Sequence, residues 1–499
     1  MRRRLALLLP ICLLPAAVKL VCYPDYPGSD DAFIHLAVVE NLRRGAGWGI
    51  NAGEPVLVST SPLFTVVFTA IRRLSPRVLE VGMALSLAAA CLYVLGVYVL
   101  ALRIAASAGP ALVCAFLAAA NVHLWRWNGT FMEVLFATAT VPWLVTLFLK
   151  RAEQAPEGHE WDYLGLGLGV AAAVLLRPEL GLLVPVFFLH CLWHRHPLAG
   201  RGCVLFLLGV ALLLVPALAV LAAGFGTIVP TTFAAKTVPG LRWVNPQVWS
   251  QILLTLLSGS GGALALAAGL WLLEPDAQGR RAALHRLRKW SVVWLFPLAG
   301  FAFYALKTAV LQSAARYLLP FVGLLPVLPA VLWPDHPRPR PAALRWLATA
   351  CCVGQIAVSL LVNQRFVRPA LQRMRAEYLP TMAAAVAELS RQARPGDSVL
   401  VFMDLGVVSA LRPPTLRIVD GGGLASPELR GLTLSAMLRR TRPRWVLESM
   451  GTDAGAVEQA LRETGRPFRT VWTRPYRSPG VESVYATYEA RLFEIIRTP

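Results

Sequence analysis

The sequence predicts a polytopic α-helical membrane protein that carries a C-terminal extracytoplasmic α/β domain. Three observations point there. Of 499 residues, 56% are hydrophobic and only 15% charged, with a mean hydropathy of +0.56. The apolar residues gather in runs of membrane-spanning length. Those runs stop near residue 363, and a mixed, polar tail follows. A soluble globular domain carries roughly 25% charged residues, so an ordinary cytosolic enzyme is excluded. The net charge of +20 does not indicate nucleic-acid binding, because the basic residues lie in short loops rather than on one soluble face. None of the eight cysteines lies beyond Cys352, and none has metal-ligand spacing, so they read as small apolar core residues.

The chain opens on Arg2, Arg3 and Arg4, then an apolar stretch to Val21. It lacks a small-residue cleavage site and reads as an uncleaved first span. Further runs lie near 81–102, 109–122, 131–149, 162–176, 179–193, 203–223, 250–273, 290–310, 316–333 and 344–362. This makes about eleven spans. With the amino terminus cytoplasmic, the strongly basic short loops at 150–151, 194–201, 280–289 and 336–345 all fall inside, as positive charge requires. An odd count places the tail outside. Its 20 Arg against 13 Asp and Glu do not oppose this, since long domains translocate largely regardless of charge. The reading divides the chain into a membrane domain, 1–363, and a tail domain, 364–499. In the tail, 398–403, 416–419, 445–447 and 484–488 read as strands. Segments 380–391 and 453–464 carry helical periodicity.

The segment 23–80 is too polar to span and too long for a connector. Its stretches 32–42 and 61–71 suggest two helices lying along the bilayer surface. At its head stand Asp30 and Asp31. Acidic residues at a membrane boundary are costly unless they work or are paired. One reading makes them a general base towards a hydroxyl, the other a helix N-cap, and each Asp can do one job.

Asp30-Asp31-Ala32-Phe33-Ile34, then Asn41, Gly45, Gly47, Asn51, Gly53-Glu54 and Thr60-Ser61-Pro62-Leu63, resembles the first extracytoplasmic loop of bacterial GT-C glycosyltransferases. The branch with the mycobacterial terminal arabinofuranosyltransferases is the nearest in pattern. Further matches follow in order: Met132-Glu133, Arg177-Pro178-Glu179, the segment from Pro230 to Lys236, Arg316-Tyr317-Leu318-Leu319-Pro320, Asp404-Leu405-Gly406, Asp420 and Gly423-Leu424. His35, Ala37 and Phe64 depart from that pattern.

The resemblance implies a GT-C fold and an inverting enzyme. It would transfer a sugar, arabinofuranose by the nearest branch, from a polyprenyl-phosphate donor to an envelope glycan or glycolipid hydroxyl on the outer face of the cytoplasmic membrane. It implies Asp30 as base, as first of the pair, with Asp31 in support. Lys236, one of only five lysines, and Arg316 then contact the donor phosphate, with boundary snorkelling and structural pairing as their alternatives. His35, Thr60, Trp127, Glu133, Arg177 and Glu179 are pocket candidates. The alternatives are an interface-belt residue for Trp127, a helix-start acid for Glu133, and a neutralising pair for Arg177 with Glu179. Asp404 and Asp420 end expected strands and are acceptor-binding or turn-forming. A divalent cation between Asp31 and His35 is a further option. The rival functions are a lipid-sugar flippase, which requires charges near the bilayer midplane and paired broken helices, and a membrane anchor for the tail.

Overall fold

The computed structural model describes residues 2–153, 161–194, 201–236, 245–274, 276–307, 314–334, 341–402, 404–449, 455–477 and 487–496. Six helices among them are long and apolar enough to cross a bilayer: Val78–Ala105, Val134–Glu153, Gly202–Phe225, Pro246–Leu272, Ala315–Leu332 and Ala342–Gln392. The bent pair Ala277–Lys289 and Val292–Lys307 makes a seventh when taken as one span. The expectation of eleven is corrected to six or seven. Four further apolar runs form the shorter helices Ala6–Cys22, Ala108–Ala119, Trp161–Leu176 and Pro178–Trp193. At about 1.5 Å per residue, the 12 residues of Ala108–Ala119 reach about 18 Å, short of the ~30 Å hydrocarbon core. Apolar composition reports burial, whether in lipid or in protein, and so overcounts spans.

Helices Trp161–Leu176 and Arg201–Phe225 pack backbone to backbone because glycines meet at the crossing. A Cβ on Gly167 would lie 2.1 Å from the Phe206 carbonyl, and one on Gly209 2.2 Å from that of Leu164. The basic turns collect at one end of the bundle. There Arg103 and Lys289 both pair with Glu153, and His194 Nε2 donates to the Arg288 carbonyl at 2.8 Å. The span Val78–Ala105 ends there and begins at the other end, beside the tail domain.

The last span continues as one helix, Ala342–Gln392, into the tail. The boundary expected at 363 falls inside it. Two π turns, Asn363–Val367 and Met374–Tyr378, sit just before Pro369 and Pro380. Proline has no N–H to donate back along the helix and clashes with the preceding turn, and a wider turn accommodates both defects.

The tail is a five-stranded sheet of β1 (Ser398–Val401), β2 (Arg417–Asp420), β3 (Trp445–Glu448), β4 (Phe468–Arg477) and β5 (Thr487–Ile495), in the order β2-β1-β3-β5-β4. β1 runs parallel to β2 and β3, while β5 is antiparallel to β3 and β4. The three strands expected first are present, and 484–488 overlaps only the start of β5. β4 was not expected. It is an edge strand whose Arg469, Arg474, Pro475 and Arg477 break the apolar pattern and protect the edge.

The helix at 32–42 is present as Asp30–Arg43. It is clamped between the bundle and tail helix Leu405–Leu411. Ile34, Ala37, Val38, Ile50 and Val58 share one hydrophobic core with Val399, Leu405, Val408, Ile418 and Trp445. Polar contacts fix the register. The Asn51 amide donates to the Ile418 carbonyl at 2.8 Å and accepts its N–H at 2.9 Å, and Glu54 pairs with Arg417 at 2.6 Å. Gly406 permits the closest approach, since a Cβ there would stand 2.0 Å from the Asp30 carbonyl oxygen. Gly406→Ala is expected to cost about 1–3 kcal/mol and loosen the tail. Thermal unfolding with limited proteolysis checks this, and an unchanged melting temperature would contradict the packing.

Candidate functional site

Successive residues on a helix project about 100° apart, so Asp30 and Asp31 part company at the first turn of Asp30–Arg43. Asp30 turns to the tail, where its carboxylate accepts the Gly406 N–H at 2.9 Å and that of Val407 at 2.8 Å. It therefore caps helix Leu405–Leu411 rather than its own. Burial, with the Asp404 carboxylate nearby, pushes the Asp30 carboxyl well above its usual range, against the lowering effect of the two amides.

Asp31 and, one turn on, His35 face a cavity open to solvent, lined by polar and apolar side chains together, as small-ligand sites commonly are. Asp31 pairs with Arg316, which opens the span Ala315–Leu332. The Asp31 side chain is 29% exposed and that of Arg316 8%, so the carboxylate is the more accessible partner. Arg316 also donates to the Ser29 hydroxyl at 3.3 Å and to that of Tyr317, and its guanidinium lies over the Tyr317 ring.

Behind this pair runs a buried polar chain. His35 Nε2 meets Glu133 at 3.2 Å, and Nδ1 meets the Ser59 hydroxyl at 3.3 Å. Ser59 Oγ accepts the Ser61 N–H at 3.1 Å, so its own proton can go to Nδ1. The network thus assigns the proton on His35 to Nε2, facing Glu133. Arg177 joins Glu133 at 3.4 Å to Glu179 at 2.5 Å, and donates to the Arg316 carbonyl at 3.1 Å. The Tyr304 hydroxyl donates to Glu179 at 2.8 Å. Burial alone would raise the Glu133 pKa; the hydrogen bond from His35 and the Arg177 charge overcome it and hold the carboxyl down at about 2. Met132, Pro178, Phe233 and Phe303 supply apolar lining to the same cavity.

Of the residues singled out from sequence, Asp31, His35, Thr60, Glu133, Arg177, Glu179 and Arg316 line this one cavity. The others do not line it among the described residues. Asp30 points away from it. Trp127 is fully buried, its ring 5.9 Å from the Arg316 guanidinium, and lines neither the cavity nor an interface belt. Asp404 is buried against Asp30 and accepts the Tyr378 hydroxyl, and burial raises it to about 6. Asp420 accepts the amides of Gly422, Leu424 and Ala425 and so forms a turn. That turn seats the helix bearing Thr232 and Phe233, because Thr231 donates to the Leu424 carbonyl at 2.6 Å. Lys236 ends this helix; its side chain lies outside the described residues. Both His35 nitrogens are engaged in hydrogen bonds, and among the described residues no group of three His, Cys, Asp or Glu is placed to hold a metal. Sequence reasoning missed Ser59 and Tyr304. A Tyr near the end of a predicted span was the only available signal for the latter.

No family model matches the chain, and no curated relative does. Solved structures do, and they define the class of fold first. ArnT from Cupriavidus metallidurans, bound to undecaprenyl phosphate, superposes with a TM-score of 0.58 at 14% identity, covering 96% of this chain and 97% of that one. Its apo state gives 0.58 at 15%, covering 98% and 97%. Arabinofuranosyltransferase AftD from Mycobacteria gives 0.53 at 14%, covering 98% of this chain but 41% of that much longer one. At these identities the likeness is one of fold: a polytopic helical membrane bundle with a C-terminal domain.

Proposed function

We propose that the chain is a membrane glycosyltransferase that uses a polyprenyl-phosphate sugar as donor. It passes the sugar to a hydroxyl of an envelope glycan or glycolipid on the outer face of the cytoplasmic membrane. The observation that carries this reading is the accessible Asp31 carboxylate paired with Arg316 at the mouth of a span, inside a cavity open to solvent. The fold shared with ArnT, solved with undecaprenyl phosphate bound, and with an arabinofuranosyltransferase supports it. The clustering of basic turns at the bundle end remote from the cavity supports an extracytoplasmic site.

The base is Asp31, not Asp30. Asp31 takes the proton of the acceptor hydroxyl as its oxygen attacks the anomeric carbon. The bond from that carbon to the donor phosphate breaks, and polyprenyl phosphate leaves with the electron pair. One displacement inverts the anomeric centre. The phosphate gains a negative charge on leaving, and Arg316 with Lys236 is the cationic partner it requires. Donor phosphate and Asp31 then compete for Arg316, so donor binding releases the base. The Glu133–Arg177–Glu179 chain and Thr60 bind sugar hydroxyls, and arabinofuranose is the sugar the sequence resemblance favours.

The test is purified protein in nanodiscs given polyprenyl-phosphate donors carrying labelled arabinofuranose or other sugars. Acceptor-dependent release of polyprenyl phosphate is expected. Donor moved across vesicle membranes without being consumed would contradict transfer and favour a flippase.

A further inference from the structure

A second cleft, of about 970 Å³ and open to solvent, lies on the back of helix Asp30–Arg43. Its walls are Arg44, Arg72, Glu40, the first residues of the span Val78–Ala105, and Ser409 to Pro414 of the tail. The residues that face it on the helix, Ala37, Glu40 and Arg44, stand opposite the side that carries Asp31 and His35. It is a separate site.

Its charge is lopsided. Glu40 already accepts from Arg43, Arg44 and Arg72, the last two at 2.9 Å. Arg412 has neutral partners, the carbonyls of Pro413 at 3.2 Å and Ile50 at 2.8 Å and the Asn51 amide oxygen, while its buried Nε has none. Glu80 is the other acid on the wall. Three guanidiniums, those of Arg44, Arg72 and Arg412, thus meet two carboxylates. Burial and the neighbouring Arg44 depress the basicity of Arg412 to about 10, against the raising effect of the Glu54 carboxylate, which is itself paired with Arg417.

The position selects the anion. The span begins at Val78, and just before it helix Pro62–Leu74 turns Val66, Val67 and Leu74 outward, with Leu74 88% exposed. An apolar rim beside arginines at the start of a span is the level of phospholipid headgroups. We propose that this cleft binds the phosphate of an anionic membrane lipid and so anchors the tail domain against the bilayer. The inference is independent of the glycosyltransferase reading, since it uses no residue of the cavity.

The experiment is native mass spectrometry of the full chain in detergent, titrated with phosphatidylglycerol or phosphatidylcholine. One tight phosphatidylglycerol is expected, weakened at least about tenfold in Arg44→Gln/Arg412→Gln. Arg44→Gln alone is the second variant, because Arg412 also holds Ile50 and its loss can disturb docking. Arg365→Gln, an exposed arginine outside the cleft, is expected to bind as wild type. Equal weakening by Arg365→Gln, equal binding of phosphatidylcholine, or no weakening in Arg44→Gln would overturn the proposal. Displacement of the lipid by millimolar inorganic phosphate would do so too, by assigning the cleft to a soluble anion.

Discussion

Asp31→Asn is expected to lower kcat by about 10²–10⁴-fold, the usual contribution of a positioned general base, while donor binding holds or tightens. The reason for the second half is Arg316. Its pairing with Asp31 competes with a donor phosphate, and the amide removes that competition. Asp30→Asn is expected to behave in the opposite way. Its carboxylate accepts two amides of helix Leu405–Leu411, and an Asn offers one oxygen and a misplaced donor. The loss falls on stability, about 1–3 kcal/mol, with kcat little changed in protein that remains folded. Steady-state kinetics and thermal unfolding on the two variants separate the roles. A dead Asp30→Asn enzyme with a normal melting temperature beside an active Asp31→Asn enzyme would reverse the assignment.

Arg177→Met is expected to be the most destabilising single change in the cavity. Arg177 is the buried cation that joins Glu133 to Glu179. Without it two buried carboxylates face each other, at a cost of about 3–5 kcal/mol. Lysine does not restore the fork that reaches both acids. The pH dependence provides a check. In the wild type, Glu133 is held at about 2 against an ordinary 4.5, so its contribution is present above pH 4.5 and is lost as pH falls towards 2. In the variant Glu133 loses the lowering Arg177 charge and its carboxyl shifts upward, so its penalty is smallest in acid and grows as pH rises. Melting temperatures from pH 5 to 8 should therefore diverge from wild type with increasing pH. Parallel curves would show that Arg177 does not carry the charge balance.

The motifs that stood out in the sequence serve two structural tasks that spacing could not separate. Asp31, Thr60, Glu133, Arg177 and Arg316 surround the cavity. Asp30, Asn51, Glu54, Gly406 and Asp420 dock the tail or shape its turns. The Asp30-Asp31 pair was legible as a site, but which oxygen faces the cavity depends on the phase of a helix fixed by Gly406, far along the chain. Tail strands were legible where β-branched residues run together, as in β1 and β2, and hidden in β4 by arginines and a proline. Span counting failed at Ala108–Ala119 because alanine-rich helices are equally apolar when protein surrounds them.

The central claim is that one cavity holds both the base and the cation for a lipid-linked phosphate. A structure of the chain with polyprenyl phosphate tests it most directly. The phosphate is expected within about 3 Å of the Arg316 guanidinium, with the Asp31–Arg316 pair broken and Asp31 turned into the cavity. A phosphate bound elsewhere, with that pair intact, would contradict it.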